Sequence, residues 1–372
     1  MRFLYFIIPI LCMTPIGIYL YIYLKRMSIF FKIRIRSKII HLILALCSLA
    51  AVILALNIWG IWAMIFAHWF IFALIMELIN FVICKLRKRC GIWKRIYRSG
   101  IIPIFFTILV LFYGYYCMHD VVKTTYTINT QKNIREEGYR IALISDLHFR
   151  TTMNETTLEQ YCREIEMEHP DFVVLCGDIV DEQTNLLDLQ KVFQTLSTIQ
   201  SDYGIFYVYG NHDRASYSSK AQFTPQQLKQ VLEESGIHIL QEESYSIAKD
   251  FTIIGREDWY TRDSTITSEQ LLTNVDTTDF LLLLDHQPRN LKENAAAGYD
   301  LQLSGHTHGG QIWPVGLITD LLGFGEMNYG YRKIDNFQVI VSCGMGGWGY
   351  PIRTGYHSEY VIIDIQKDHS VS

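Results

Sequence analysis

The chain has 372 residues, half of them hydrophobic, and 33 Lys and Arg against 37 Asp and Glu, for a formal net charge of −4. This composition excludes a disordered chain, a collagen-like repeat and a small disulfide-linked scaffold. The eight cysteines are scattered, which indicates buried thiols rather than a zinc ribbon. The charge is uneven, because residues 1–118 contain 14 basic residues and one acidic residue, Glu77. Residues 119–372 contain 19 basic and 36 acidic residues, so the chain divides into halves of +13 and −17.

Four long apolar stretches occupy the basic half. Each is close to the roughly 20 residues that a helix needs to cross ~30 Å of hydrocarbon. They predict a membrane domain over residues 1–118 with four transmembrane helices, at about 3–24, 39–58, 61–84 and 101–118. The first stretch is too long for the apolar region of a signal peptide and lacks a small-residue cleavage site, so we expect it to be retained. His68 and Glu77 lie on opposite helix faces and therefore do not form one site.

Two basic connections predict the orientation of these helices. Residues 25–38 carry six Lys or Arg side chains and residues 85–99 carry seven, whereas the turn near 57–60 carries none. By the positive-inside rule both connections are cytoplasmic. Both termini and the acidic half then lie outside, in a multi-pass protein of the cell membrane. The basic clusters are also compatible with nucleic-acid binding, but their juxtamembrane position favours membrane lipids as partners, and the −17 charge of the acidic half opposes a nucleic-acid substrate.

The acidic half alternates between apolar runs and amphipathic stretches after a predicted linker over residues 119–139. The runs are rich in Val, Ile and Leu, as in strands buried on both faces. They occupy residues 140–145, 172–176, 205–209, 280–284 and 301–304. The amphipathic stretches predict helices at 157–167, 186–199 and 225–235. This alternation is typical of βαβ units and predicts one α/β domain over residues 140–372. Later strands at 246–248, 251–254, 338–342 and 360–365 predict a mixed or second sheet.

Side chains that can bind metal follow each of the five buried strands. In chain order the segments are Asp146-Leu-His148, Gly177-Asp178, Gly210-Asn211-His212-Asp213, Asp285-His286 and Gly305-His306-Thr-His308. Ligands bind at the carboxyl ends of strands in open α/β sheets. If the strands stay extended, Asp146 and His148 point the same way, and so do His306 and His308.

The chemistry of these side chains predicts a centre of two metal ions. Imidazole, carboxylate and amide oxygen without thiolate suit borderline divalent metals, here Mn, Fe or Zn. Two such ions activate a bridging water to hydroxide, which attacks phosphorus in line. The ions also neutralise the charge that grows on the phosphoryl oxygens.

The order of these segments resembles the calcineurin-like metallophosphoesterase superfamily over residues 140–365. The resemblance implies a four-layer α/β/β/α sandwich with two facing sheets. It implies that one metal is held by Asp146, His148, Asp178 and His308. It implies that the other is held by Asp178, Asn211, His286 and His306, with Asp178 as the bridge. His212 would then protonate the leaving group or steady a phosphoryl oxygen, and Asp213 would orient its ring.

Two departures from the superfamily pattern narrow the expected substrate. Ser/Thr phosphatases follow Gly-Asp with an Asp-Arg-Gly run and have Arg before Gly-Asn-His, whereas this chain has Asp181-Glu182-Gln183 and Tyr209. Segments 305–311 and 349–353 instead resemble the bacterial YkuE/YaeI-like phosphodiesterase subgroup. Arg353 is then a candidate ligand for substrate phosphate through its planar fork, with a structural role left open.

The sequence therefore predicts a membrane-anchored phosphoesterase with two divalent metals. Its predicted substrate is a lipid, lipid-linked or cell-envelope phosphate, cleaved as a phosphodiester or a pyrophosphate, and this inference rests on location alone. One alternative is a four-helix membrane protein whose outer domain binds metal or phosphate without turnover. Another is a helical bundle that transports or flips a lipid. The complete ligand set argues against the first alternative, and the scarcity of polar residues in the spans argues against the second.

Overall fold

The computed structural model describes residues 2–33, 37–57, 60–86, 91–260 and 266–368, and the chain divides into two compact units, residues 1–114 and 115–372. The described helices of the first unit are α1 (Arg2–Phe30), α2 (Lys38–Leu54), α3 (Ile61–Leu86), α4 (Gly91–Ser99) and α5 (Ile101–His119), the last of which continues into the second unit. Several basic residues of the two predicted cytoplasmic connections, at 34, 36 and 87–89, lie outside the described residues, as does residue 58 of the second predicted span.

Two helices in the described part of the chain, α3 and α5, are long and apolar enough to cross a membrane. The prediction of four spans is corrected to this number. α2 has 17 residues and ends at Leu54, because Asn57 and Gly60 favour a turn. α1 has 29 residues, but it continues through Lys25 and Arg26, which were expected to lie in a loop. α4 is an additional helix within the second basic connection.

Two ionisable residues of α3, His68 and Glu77, make separate contacts inside the first unit. The Glu77 carboxylate accepts a hydrogen bond from the Tyr19 hydroxyl at 2.6 Å and forms an ion pair with Arg26 at 2.6 Å. His68 instead lies 2.9 Å from the Met64 carbonyl oxygen, one turn back in its own helix. Burial of a carboxylate in an apolar helix costs far less free energy when the carboxylate is paired with a cation than when it is isolated.

The second unit contains two mixed sheets of six strands each among its described residues. In order across the first sheet, the strands are β1 (Val122–Thr130), β12 (Glu359–Lys367), β2 (Tyr139–Ile144), β3 (Phe172–Cys176), β4 (Ile205–Val208) and β5 (His238–Ile239). Across the second they are β10 (Gly330–Ile334), β11 (Phe337–Val341), β9 (Leu301–Ser304), β8 (Phe280–Leu284), β7 (Phe251–Gly255) and β6 (Glu243–Ala248). The described helices are α6 (Glu155–Glu166), α7 (Leu186–Leu196), α8 (Pro225–Glu234), α9 (Leu291–Ala297) and α10 (Val315–Leu322).

The apolar core lies in three layers that define the order of the sheets and helices. Alternate residues of the two sheets, such as Leu143 and Leu282, pack together in one buried cluster between the sheets. The opposite face of the first sheet packs against α6, α7 and α8. The opposite face of the second sheet packs against α9. The predicted α/β class with two facing sheets is therefore confirmed.

The five buried strands predicted from continuous apolar runs correspond to β2, β3, β4, β8 and β9, each within one residue. The predicted linker over residues 119–139 instead contains β1, which pairs in parallel with β12 from Val122 opposite Glu359 onward. β1 is an edge strand with alternating exposed and buried side chains. Its Thr-rich sequence therefore lacks the continuous apolar run that marks a central strand.

Candidate metal centre

The metal-binding segments follow the carboxyl ends of β2, β3, β4, β8 and β9, which meet at one edge of the sandwich. Backbone hydrogen bonds join the loops there: the Asp146 amide donates to the Gly177 carbonyl at 3.0 Å, and the His148 amide donates to the Asp178 carbonyl at 3.1 Å. A further bond of 3.0 Å runs from the Gly305 amide to the His286 carbonyl, within the second sheet. The two sheets therefore present their loops to a common site.

The backbone of this site is strained. Five of the predicted ligands have positive φ angles: Asp146 (49°), His148 (41°), Asp178 (54°), His306 (70°) and His308 (50°). Residues with a Cβ rarely adopt this conformation, and it is concentrated at functional sites. The condition that Asp146-x-His148 and His306-x-His308 stay extended is not met, because β2 ends at Ile144 and β9 ends at Ser304.

Six of the predicted ligands form two groups whose ligand atoms lie within 4.8 Å of one another. The first group contains Asp146, His148 and His308, and the second contains Asp178, His286 and His306. His306 and His308 thus serve different groups. Asp178 Oδ2 lies 3.1 Å from His286 Nε2 and 3.8 Å from His148 Nε2, so this carboxylate stands between the two groups.

The donor atoms of these groups fit metal ions. Five buried side-chain atoms, on four residues, lack a hydrogen-bond partner here among the described residues, and both ring nitrogens of one histidine are included. They are His148 Nδ1 and Nε2, Asn211 Oδ1, His286 Nε2 and His308 Nδ1. Buried polar atoms without partners are costly, and cations bound at these lone pairs would remove that cost. Nitrogen and oxygen donors without thiolate suit borderline divalent ions.

Burial and the neighbouring charges move the pKa values of the site in opposite directions. Burial raises the pKa of Asp178, but the His286 imidazole outweighs it and holds that pKa well below its ordinary range. Burial raises the pKa of Asp146. Burial, reinforced by the Asp178 carboxylate, raises the pKa of Asp213 to about 6. Such opposed shifts in one cleft are typical of functional sites.

The predicted partner of the His212 ring is corrected by the structure. Nδ1 of His212 lies 2.9 Å from both carboxylate oxygens of Glu182. Burial lowers the pKa of His212, but Glu182 and Asp178 outweigh this effect and raise it. Asp213 instead accepts backbone hydrogen bonds from Asp178 at 2.8 Å and Gly210 at 2.6 Å, and it thereby joins two site loops.

Sequence reasoning missed Glu182 and Asp181 as functional residues. Asp181 Oδ2 lies 3.5 Å from His148 Nδ1, on the side of the ring opposite to Asp178. Burial raises the pKa of Asp181, but His148 outweighs it and lowers the pKa. A carboxylate behind a ligand histidine fixes its ring orientation and tautomer. The available signal was the Asp181-Glu182 pair, which departs from the Ser/Thr phosphatase pattern.

The predicted phosphate contact of Arg353 is also corrected. The side chain is fully buried, and its guanidinium donates to the carbonyl of His308 at 2.7 Å and to that of Gly346 at 2.5 Å. Arg353 therefore holds the backbone behind the site. Asp285, which precedes His286, faces Arg256 at 3.4 Å and belongs to neither ligand group.

Comparison with known proteins agrees with this geometry. The family model for calcineurin-like phosphoesterases matches residues 139–310. An uncharacterized metallophosphoesterase of Aquifex aeolicus is 33% identical over 65% of this chain and 90% of its own length. The uncharacterized metallophosphoesterase YkoQ of Bacillus subtilis is 32% identical over 64% of this chain and 88% of its own. A Danio rerio transmembrane protein with a metallophosphoesterase domain is 27% identical, and the match spans 62% of this chain and 54% of that protein.

These matches cover the strands and loops that bring the two histidine–carboxylate groups together. The chain accordingly belongs to the calcineurin-like metallophosphoesterase family and is a hydrolase of phosphoric ester bonds.

Proposed function

We propose that the chain is a membrane-anchored phosphodiesterase or pyrophosphatase that uses two divalent ions. Its substrate would be a lipid, lipid-linked or cell-envelope phosphate outside the cytoplasm. The observation that carries this proposal is the pair of ligand groups linked by the Asp178 carboxylate, with buried nitrogen and oxygen atoms that have no hydrogen-bond partner among the described residues.

The proposed ligand sets assign each of the seven predicted ligands to one ion, and Asp178 to both. Asp146, His148, Asp178 and His308 would hold one ion. Asp178, Asn211, His286 and His306 would hold the other. When bound, two such ions lower the pKa of a water molecule and neutralise charge on the phosphoryl oxygens. Mn, Fe and Zn all suit this donor set.

His212 is proposed to act on the leaving group. Its Nδ1 faces Glu182, so Nε2 is the ring nitrogen left to hold a proton toward the substrate. The same contact favours the protonated ring, because a carboxylate stabilises imidazolium. His212 would donate this proton to the departing oxygen. Trp348 and Tyr217 lie beside the ring, with centroids 5.4 Å and 5.1 Å away, and restrict its movement.

The membrane anchor is proposed to consist at least of α3 and α5. The basic connection between them, residues 85–99, would lie in the cytoplasm, so α5 would leave the bilayer on the other side. β1 begins at Val122, three residues after α5 ends at His119. The name of the Danio rerio relative, which describes a transmembrane protein, supports this arrangement. The resemblance to the YkuE/YaeI-like subgroup supports phosphodiester cleavage.

Turnover by the full-length protein in detergent tests this assignment. Metal-stripped protein is supplied with Mn²⁺, Fe²⁺ or Zn²⁺, and hydrolysis of bis(p-nitrophenyl) phosphate is followed by absorbance. We expect Asp178→Asn and His212→Asn each to lower kcat by about 100-fold or more, because one removes a shared ligand and the other removes the proton donor. Asp202→Asn and His169→Asn make the same chemical changes at exposed positions and should leave kcat unchanged.

The metal content of the variants distinguishes a metal ligand from a proton donor, and it also tests the alternative of an outer domain that binds without turnover. Asp178→Asn should lower the bound metal measured by mass spectrometry, whereas His212→Asn should retain it. Metal binding without turnover under all three metals would favour an outer domain that binds metal or phosphate without catalysis. Full metal content and activity in Asp178→Asn would contradict the ligand assignment.

A further inference from the structure

One helix of the second unit exposes apolar side chains instead of burying them. α10 (Val315–Leu322) has no buried residue. Together with its flanks it displays seven large apolar side chains that are 44–76% exposed, and we call these the apolar platform. They are Trp313, Val315, Leu317, Ile318, Leu321, Leu322 and Phe324. Soluble proteins rarely expose a contiguous apolar surface of this kind without a partner.

The platform adjoins the loop that carries two of the proposed metal ligands. Gly310, two residues after His308, has a φ of 75° and packs directly against the backbone of Gly316 in the first turn of α10. A Cβ on Gly310 would overlap the Gly316 backbone, so the two segments approach as closely as backbones allow. The start of α10 is therefore held against the loop that carries His308.

The platform also lies near the end of α5. Within the second unit, the Cys117 carbonyl accepts a hydrogen bond of 2.9 Å from the Ser358 amide, and Met118 contacts Gly347. The loop of residues 344–358, which contacts Cys117 and Met118, also contacts the start of the platform. Its Trp348 carbonyl accepts from the Gln311 side chain at 3.1 Å, and its Thr354 hydroxyl accepts from the Trp313 amide at 2.8 Å. One loop thus contacts both the end of α5 and the start of the platform.

The end of α5 has the features of a helix that reaches the membrane surface. Tyr115 and Tyr116 are both exposed there, in the last turns of an apolar helix long enough to span. Tyr and Trp are enriched where transmembrane helices meet the headgroups. Trp313 places the same type of side chain at the start of the platform.

We propose that the apolar platform inserts into the outer leaflet of the bilayer that anchors the chain. The candidate metal centre would then face phosphoesters carried by amphiphilic molecules whose alkyl chains lie in that leaflet. This inference rests on the proposed membrane anchor and deepens the proposed function by naming a substrate class. Residues 119–372 carry a charge of −17, so anionic headgroups repel this unit. Insertion must therefore depend on apolar contact, and its salt dependence is weak.

A readout independent of catalysis tests the insertion. The full chain is placed in nanodiscs of phosphatidylcholine with or without brominated acyl chains, and quenching of Trp fluorescence is measured. We expect Trp313→Phe to remove part of the quenching, and Leu317→Ser combined with Leu321→Ser to reduce it. Met167→Ser, at another exposed apolar position of the second unit, should leave it unchanged. Quenching that is the same in all variants would overturn the proposal, even for an enzyme that is fully active.

A second measurement tests the substrate class. Hydrolysis of soluble bis(p-nitrophenyl) phosphate is compared with that of p-nitrophenyl hexadecyl phosphate dissolved in the nanodisc. The double serine variant should retain the activity on the soluble substrate and lose about tenfold or more of the activity on the membrane-borne substrate, since two leucine side chains no longer enter the bilayer. The same results are expected at 0.05 M and 0.5 M salt.

The remaining outcomes are distinguishable. Equal losses on both substrates would overturn the proposal, because the helix would then support the site itself. If the parent protein is a dimer and the double variant is a monomer, the platform is a self-association surface. That result would also overturn the proposal. Absence of turnover on either substrate, together with platform-dependent quenching, would contradict the proposed function while supporting insertion.

Discussion

The side chain of Glu182 favours one of two chemical roles for His212. A histidine beside a metal pair can bind metal or hold a proton, and its second ring nitrogen selects between these roles. Here Glu182 faces Nδ1 at 2.9 Å, while Asp213, the adjacent residue in the chain, accepts hydrogen bonds from backbone amides. Glu182 is therefore a positioning residue for the proposed proton donor.

Loss of Glu182 should affect poor leaving groups most, because they need the proton from His212. We expect Glu182→Ala to lower kcat for a phenyl phosphodiester by about 10–100-fold, with a smaller loss for the p-nitrophenyl ester. Glu182→Gln keeps a hydrogen-bond acceptor, so its kcat should lie between that of Glu182→Ala and that of the parent protein. Glu159→Ala, at an exposed position of α6, is the matched control. An equal loss with both leaving groups would show that Glu182 only supports the fold.

The loop of residues 344–358 shows how an irregular segment is held beside the site. Gln311 donates to the carbonyls of Trp348, Tyr350 and Ile352 at 3.1–3.2 Å. Arg353 joins the same loop to the His308 carbonyl. The buried carbonyl groups of this loop require such donors, since they are removed from water and take no part in a β-ladder.

Removal of the Arg353 donors should destabilise the second unit. Arg353→Met keeps apolar volume but leaves the carbonyls of His308 and Gly346 without these partners, at a cost of about 3 kcal/mol in the free energy of unfolding. For a unit of this size that corresponds to a fall in Tm of roughly 6–12 °C, measured by thermal unfolding of the full chain in detergent. Arg163→Met, at an exposed site, should leave Tm unchanged. An unchanged Tm in Arg353→Met would contradict this structural role.

At the scale of the whole molecule, the main feature is the opposite net charge of the two halves of the chain. A +13 half with two basic connections and a −17 half with the candidate metal centre are joined through α5. Because α3 and α5 flank the second basic connection, the proposed orientation of the acidic half depends on that connection more than on the total number of spans.

This topology predicts the behaviour of fusion proteins in intact bacterial cells. Alkaline phosphatase joined after residue 372 should be active, because that enzyme matures outside the cytoplasm, and green fluorescent protein joined there should be dark. The same two reporters joined within residues 87–90 should give the reverse pattern. A fluorescent fusion after residue 372 would contradict the proposed orientation and the access to envelope phosphates.

The sequence by itself determined the features that repeat along the chain or are continuous within it. Uninterrupted apolar runs identified β3, β8 and β9 to the residue, because strands buried on both faces tolerate few polar side chains. The metal-binding residues were identifiable because they follow those runs directly. Edge strand β1 was missed, since an exposed face removes the apolar run. The number of helices long and apolar enough to cross a membrane was overestimated, since the described part of the chain contains two.

Only the tertiary structure decided which side chains face one another. Glu182, and not the expected Asp213, lies beside His212. Arg353 donates to backbone carbonyl groups and not toward the substrate side. His306 and His308 belong to different ligand groups. Each outcome depends on backbone direction in loops with positive φ and on contacts between segments far apart in the chain. The sequence pattern carries the types of residues needed for the chemistry, whereas packing of two sheets against each other sets the distances and orientations that chemistry requires.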